Sequence, residues 1–165
     1  MTKIDSFDEL SKLDMFALNG QNSFYMIEYI DYKSDDNIYR KIRYWIVGNK
    51  VIPRHLVVSD EWNISYQIKK EKMFDNKNYQ KEELDFLNNS NKELEDLSLL
   101  IKENLGLDFF GIDCSIDKNG NMIIFEATPA MGLLYDYDFP YTHKSLETTV
   151  LALEELIKNI TTNRN

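Results

Sequence analysis

The chain has 165 residues, 43% of them hydrophobic and 13% aromatic, so it suits one folded domain over residues 1–165 with a real core and is not a disordered tail. A net charge of −9 excludes a general nucleic-acid or anionic-membrane surface, since both want basic patches, but leaves room for a local basic pocket. Cys114 is the single cysteine, which rules out an internal disulfide and argues against a Cys-built zinc site, and with no signal-like N-terminus or 18-residue apolar run the expected location is cytoplasmic.

Ser6 and Glu9 have capping-box spacing ahead of Leu10, Leu13 and Phe16, which predicts a short first helix. Residues 24–30 (FYMIEYI) read as a buried strand, and 31–37 as a polar loop. Residues 39–47 and 50–58 read as strands around Gly48-Asn49, where a glycine at the first central position suits a type II′ turn. Residues 59–78 carry no clear period and read as loop with a short helix. Helices are expected over 80–87 and 91–105, the second with Asn91 as N-cap, Leu94, Leu97, Ile101 and Leu105 as its apolar stripe, and Gly106 as its stop. Residues 109–127 form a hairpin about Asn119-Gly120, a strong type I′ signal. Residues 127–143 are irregular, and a last amphipathic helix covers 144–160. The expected fold is α+β: an antiparallel sheet of about five strands, with helices packed on one face and charged ladders on the other.

With Asn119 and Gly120 as central turn residues, Asp113 lies directly opposite Glu126. Phe110, Ile112, Cys114, Ile116, Ile123, Phe125 and Ala127 then share the apolar face. Opposed residues have Cβ atoms roughly 5 Å apart, where like charges repel. A shared proton or a cation relieves the pair, and Mg²⁺ takes one or two carboxylates with water and phosphate completing its shell. The alternative is two acids solvated on an open sheet face. Gly111, opposite Thr128, leaves room beside them.

In the other hairpin the same arithmetic puts Arg43 opposite Arg54, with Lys41 on their face and His55 on the reverse side. Two guanidiniums side by side call for a bridging anion, and Arg is the preferred fork for phosphate oxygens. The alternative is that each arginine pairs with a carboxylate, in a cluster that could join the two hairpins. His143 reads as a surface or helix-start residue.

The stretch LGLDFFGIDCSIDKNGNMIIFEATPAMG resembles the metal-binding end of the ATP-grasp ligases, in their glutamate-ligase-like branch. In that family an Asp on one strand and a Glu-x-Asn on the next bind Mg²⁺ and the ATP phosphates. The resemblance implies Asp113 and Glu126 as metal ligands, with Thr128 standing where the family has Asn. YRKIRYWIVGNKVIPRHLVVSDEW is similar to the preceding hairpin, which implies Arg43 and Arg54 facing phosphate and acyl substrate, with Arg40 and Lys41 nearby. FYMIEYID is similar to the hinge that meets adenine. That implies Glu28 and Ile30 at the base and Asp31 or Asp36 near the ribose.

Such an enzyme joins a carboxylate to an amine, thiol or hydroxyl through an acyl phosphate. The family's central and N-terminal subdomains, with their phosphate-binding Lys and glycine-rich loop, have no counterpart in this sequence. The resemblance therefore implies a fragment or split subunit, weak or inactive alone. Its partners would be ATP, Mg²⁺, a carboxylate substrate and a chain supplying the other half. A non-catalytic nucleotide- or partner-binding module and a purely structural domain are the competing readings.

Overall fold

A computed structural model describes residues 2–14, 25–89 and 91–162. The chain divides into two units, Met1–Asp31 and Tyr32–Asn165. In the first, a 3-10 helix spans Phe7–Leu13. The expected capping box does not form: the Ser6 side chain caps nothing, and the Glu9 carboxylate accepts from the Asp5 backbone N–H at 3.0 Å rather than from that of Ser6. Phe16 and Phe24 lie outside the described residues. Residues 25–30 form no strand, which corrects the expectation of a buried one; Tyr25 is 95% exposed. A seven-residue apolar run carries no information about a ladder partner, and a strand exists only where it has one.

In the second unit the elements follow in the order β1 (Tyr39–Val47), β2 (Lys50–Ser59), α1 (Tyr66–Met73), α2 (Lys77–Asn88), α3 (Lys92–Leu105), β3 (Phe109–Ile116), β4 (Met122–Thr128) and α4 (His143–Thr162). The strands form one antiparallel sheet in the order β2-β1-β3-β4, so the fold is α+β with four strands where about five were expected. The caps explain the helix starts. Ser65, Asn76 and Asn91 each accept a backbone N–H in the first turn of α1, α2 and α3. Gly106 ends α3 at φ +66°, the left-handed conformation that glycine enters without a Cβ penalty.

Alternation along the strands gives the sheet two unlike faces. Ile42, Tyr44, Ile46, Leu56, Val58, Phe110, Ile112 and Cys114 form the main core, closed by Leu94 with Leu97 and Ile101 of α3. On the reverse face α4 packs Ala152, Leu153 and Leu156 against Val47 and Ile52 at one end. Tyr32, Tyr39, Val57, Met73 and Phe139 close the other end. The charged residues lie between these two apolar patches.

Two bulges depart from the ideal ladders. Register between β1 and β2 runs Tyr44↔Pro53 and then Arg43↔His55. Arg54 is thus the extra residue, and Arg43 faces His55 rather than Arg54. The break falls beside Pro53, whose ring nitrogen has no proton for the ladder. Between β3 and β4 the turn is not type I′. Only Gly120 takes positive φ there (+84°), Asn119 does not, and the Asp117 carboxylate accepts from the N–H groups of Asn119 and Asn121, each at 2.8 Å. This is the three-residue loop in which a type I turn runs into a left-handed glycine. It shifts the register by one: Cys114 pairs with Ile124, so Met122 joins the main core and Ile123 the reverse face. A bulge at Phe125 then restores Asp113↔Glu126 and Gly111↔Thr128. The expected pairing is present, reached through two compensating irregularities.

The outer edge of β2 is covered rather than open. Its Leu56 N–H donates to Glu83 Oε1 at 3.3 Å and its Val58 N–H points to Met73 Sδ at 3.4 Å, while Ser145 of α4 donates to the Pro53 carbonyl. The space left by Gly111 is filled: a Cβ built there would lie 2.0 Å from Met131 Sδ. Gly111→Ala is therefore expected to cost about 1–3 kcal/mol in denaturant unfolding, because the buried Met131 must move off the sheet. An unchanged midpoint would show that Met131 yields freely.

Candidate functional site

Lys41, Arg43 and Trp45 alternate on β1 with the core residues, which puts all three on the reverse face. Asp113 stands on the same face of β3, paired across the ladder with Arg43 on one side and Glu126 on the other. Asp113 is 1% exposed. Arg43 grips it with two parallel hydrogen bonds, Nε to Oδ1 at 2.5 Å and Nη2 to Oδ2 at 2.8 Å. Lys41 Nζ lies 2.8 Å from Oδ2. Burial pushes the Asp113 carboxyl up, but the Arg43 hydrogen bonds and the Lys41 charge outweigh it and hold the group below its ordinary range. Glu126, on the edge strand, is exposed. Thr128 is half-buried, and its hydroxyl accepts from the Ala130 N–H at 3.2 Å.

Arg54 reaches the same face by a different route. It is 7% exposed, its guanidinium stacks 5.2 Å from the Trp45 ring, and Nη2 donates to the Leu134 carbonyl at 3.0 Å. Among the described residues no carboxylate pairs with it, and Nη1 is buried without a hydrogen-bond partner, as are Trp45 Nε1 and Ser115 Oγ. Burial lowers the Arg54 pKa, and the charges of Asp136 and Glu83 offset this only in part. His55, opposite Arg43, is held well below its ordinary pKa by burial and by the cations of Lys69, Arg43, Arg54 and Lys41, so it is neutral.

Asp36, expected near the ribose, pairs with Arg40 instead of joining the Asp113 cluster. Arg40 alternates with Lys41 and Arg43, lies on the opposite side, and pairs with Asp36 at 2.7 Å and with Glu82. Glu28, Ile30 and Asp31 belong to the first unit and are exposed; Asp31 accepts from the Tyr29 hydroxyl at 3.3 Å. Cys114 is on the core face as expected, its thiol pushed up to about 12 by burial, which leaves it an inert hydrophobe.

A second polar cluster was not visible in the sequence. Lys69 of α1 is 1% exposed, with its ammonium 3.0 Å from Glu83 of α2 and 3.1 Å from Asp136. The Tyr141 hydroxyl donates to Glu83 at 2.7 Å. The Tyr66 hydroxyl bonds to Asp136 and Asp138, and His143 Nε2 bonds to the Asp136 carbonyl at 2.9 Å. Together these bonds pin residues 134–143, whose Leu134 carbonyl holds Arg54. A signal did exist. Lys69 stands four residues before Met73, and Glu83 four after Tyr79 and three before Phe86, so both occupy core-facing positions of their helices.

A divalent metal meets two hard oxygen donors here, Asp113 and Glu126, on neighbouring strands. That donor set fits Mg²⁺ only together with oxygens from a bound anion. Among the described residues no group of three or more His, Cys, Asp or Glu side chains is placed to hold a metal alone. No helix among them is long and apolar enough to cross a membrane. Comparisons with family models, with curated proteins and with solved structures find no match to this chain.

Proposed function

We propose that this chain binds Mg·ATP on the reverse face of its sheet, as an ATP-grasp-like part of a carboxylate ligase. The observation that carries the reading is the row Arg43–Asp113–Glu126 across three strands, with Lys41 beside it: cations for phosphate oxygens next to two carboxylates for the metal that accompanies phosphate. Arg54 supports it, because a buried guanidinium with no carboxylate partner among the described residues is balanced by a bound anion. Bound Mg²⁺ would supply neutralisation of phosphate charge, held by Asp113 and Glu126. Lys41 and Arg43 would orient the phosphates, and Arg54 would hold an acyl phosphate or its carboxylate precursor in a dry site. A carboxylate oxygen would attack the γ-phosphorus and release ADP. An amine, thiol or hydroxyl would then attack the carbonyl and release phosphate. No side-chain nucleophile is needed, since this chemistry rests on positioning and electrostatics.

A second reading is favoured by one observation. Asp113 already has two cationic partners, as in an ordinary structural ion-pair cluster, which suits a non-catalytic module on the same scaffold. Calorimetric titration of Mg·ATP separates the two. Saturable binding that weakens at least tenfold in Glu126→Ala is expected, and the exposed position of Glu126 keeps that variant folded. Absence of binding would leave the structural module, and binding untouched by the substitution would take Glu126 out of the site.

A further inference from the structure

Resting on that reading, the four charges around Asp113 have a consequence for how ligands enter. Lys41 and Arg43 contribute two positive charges, Asp113 and Glu126 two negative ones, and Asp113 has two cations against its carboxylate. A metal ion arriving alone must compete with both cations for Asp113. A phosphate arriving alone must draw Lys41 and Arg43 away from a carboxylate that is 1% exposed and would be left buried without a partner. When both arrive, every charge keeps an opposite neighbour: the cations pass to phosphate and Asp113 passes to the metal.

We infer that the Lys41–Arg43–Asp113 cluster is a counter-ion exchange that makes metal and polyphosphate binding strongly and reciprocally cooperative, selecting a metal–polyphosphate complex over either component. Reciprocity follows from linkage, and a coupling of this kind falls in the range of about 5- to 150-fold. Arg43 is suited to the exchange because its fork matches a carboxylate and a phosphate equally well. Metal-free nucleotides are rejected because they leave Asp113 buried without a counter-charge.

The experiment is calorimetry on the full chain with three injectants: MgCl₂ alone, ATP with EDTA, and ATP with saturating Mg²⁺. The same series is run on Asp113→Asn and Glu126→Gln. In the parent, ATP is expected to bind at least tenfold more tightly with Mg²⁺ than without. Asp113→Asn frees both cations, so metal-free ATP should bind more tightly than it does to the parent, and the Mg²⁺ dependence should fall below about twofold. Glu126→Gln leaves the cluster closed and should weaken Mg·ATP without strengthening metal-free ATP. That contrast separates an exchange from mere loss of a ligand.

Parental binding of Mg·ATP with less than a twofold Mg²⁺ effect overturns the exchange and leaves the nucleotide reading standing. So does an Asp113→Asn variant that binds metal-free ATP no better than the parent. No binding of Mg·ATP in any arm overturns both. If Asp113→Asn does not fold, the parental coupling and the Glu126→Gln arm decide the question alone.

Discussion

Replacing Lys69 by Met is expected to destabilise the fold by about 3–5 kcal/mol, measured from urea unfolding at pH 7. Its ammonium lies between Glu83, which is fully buried, and Asp136, which is nearly so. Deleting one partner of such a cluster leaves charge that cannot reach water, and that penalty exceeds whatever the intact cluster contributes over an apolar replacement. The variant should also lose order in residues 134–143, and with it the Leu134 carbonyl that holds Arg54. Lys69→Met combined with Glu83→Gln should recover part of the loss, because an amide still accepts from the Leu56 N–H without carrying charge.

The deficit carries a pH signature. Burial raises the Glu83 carboxyl above its ordinary 4.5, with Lys69 the largest opposing influence. A carboxyl whose folded pKa is raised weighs against the folded state once ionised; the cost is absent below the unfolded value and grows as pH rises through the folded one. Without Lys69 the folded value moves higher still. The gap between parent and variant should therefore narrow from pH 7 to pH 5. A pH 7 deficit under 1 kcal/mol would show that the two carboxylates find water.

Arg43→Met is expected to cost about 2–3 kcal/mol, and Asp113→Asn only about 1 kcal/mol, although they remove opposite ends of one ion pair. The asymmetry comes from exposure. The Arg43 and Lys41 side chains are 25% and 22% exposed and can turn to water when Asp113 loses its charge. The Asp113 carboxylate cannot. In the parent its folded pKa is depressed, so its contribution is present above the unfolded value near 3.8 and is lost as pH falls through the folded value. Arg43→Met removes the hydrogen bonds that chiefly oppose burial, so the difference between parent and variant should close below about pH 4. Equal costs for the two substitutions would mean that the sheet face is open to water at Asp113.

Several of these residues could be found from the sequence because local rules govern them. Asn91 and Gly106 bound α3 through one cap and one left-handed residue, and both effects act within a turn. Gly48 could be read in the same way. Asp113 opposite Glu126 follows from counting outward from a turn, although the count succeeded only because a three-residue loop and the bulge at Phe125 cancel. No such cancellation exists between β1 and β2, where Pro53 and Arg54 shift the ladder once and Arg43 meets His55 instead. The ion pair between Arg43 and Asp113 joins residues 70 apart and depends on β1 and β3 becoming neighbours, which no turn dictates.

What the residues alone determined were the α+β class, the two hairpins, the cap and stop of α3 and the opposition of Asp113 to Glu126, all consequences of period and turn chemistry at short range. What only tertiary structure decided was where the charged side chains find partners. Strand order put Arg43 and Lys41 against Asp113, and the packing of α1 and α2 over the β2 edge buried Lys69 with Glu83. Burial then turned ordinary surface charges into groups whose pairing governs stability, because the strength of a charge's interactions is set by how much water surrounds it, and that is a property of the assembled fold.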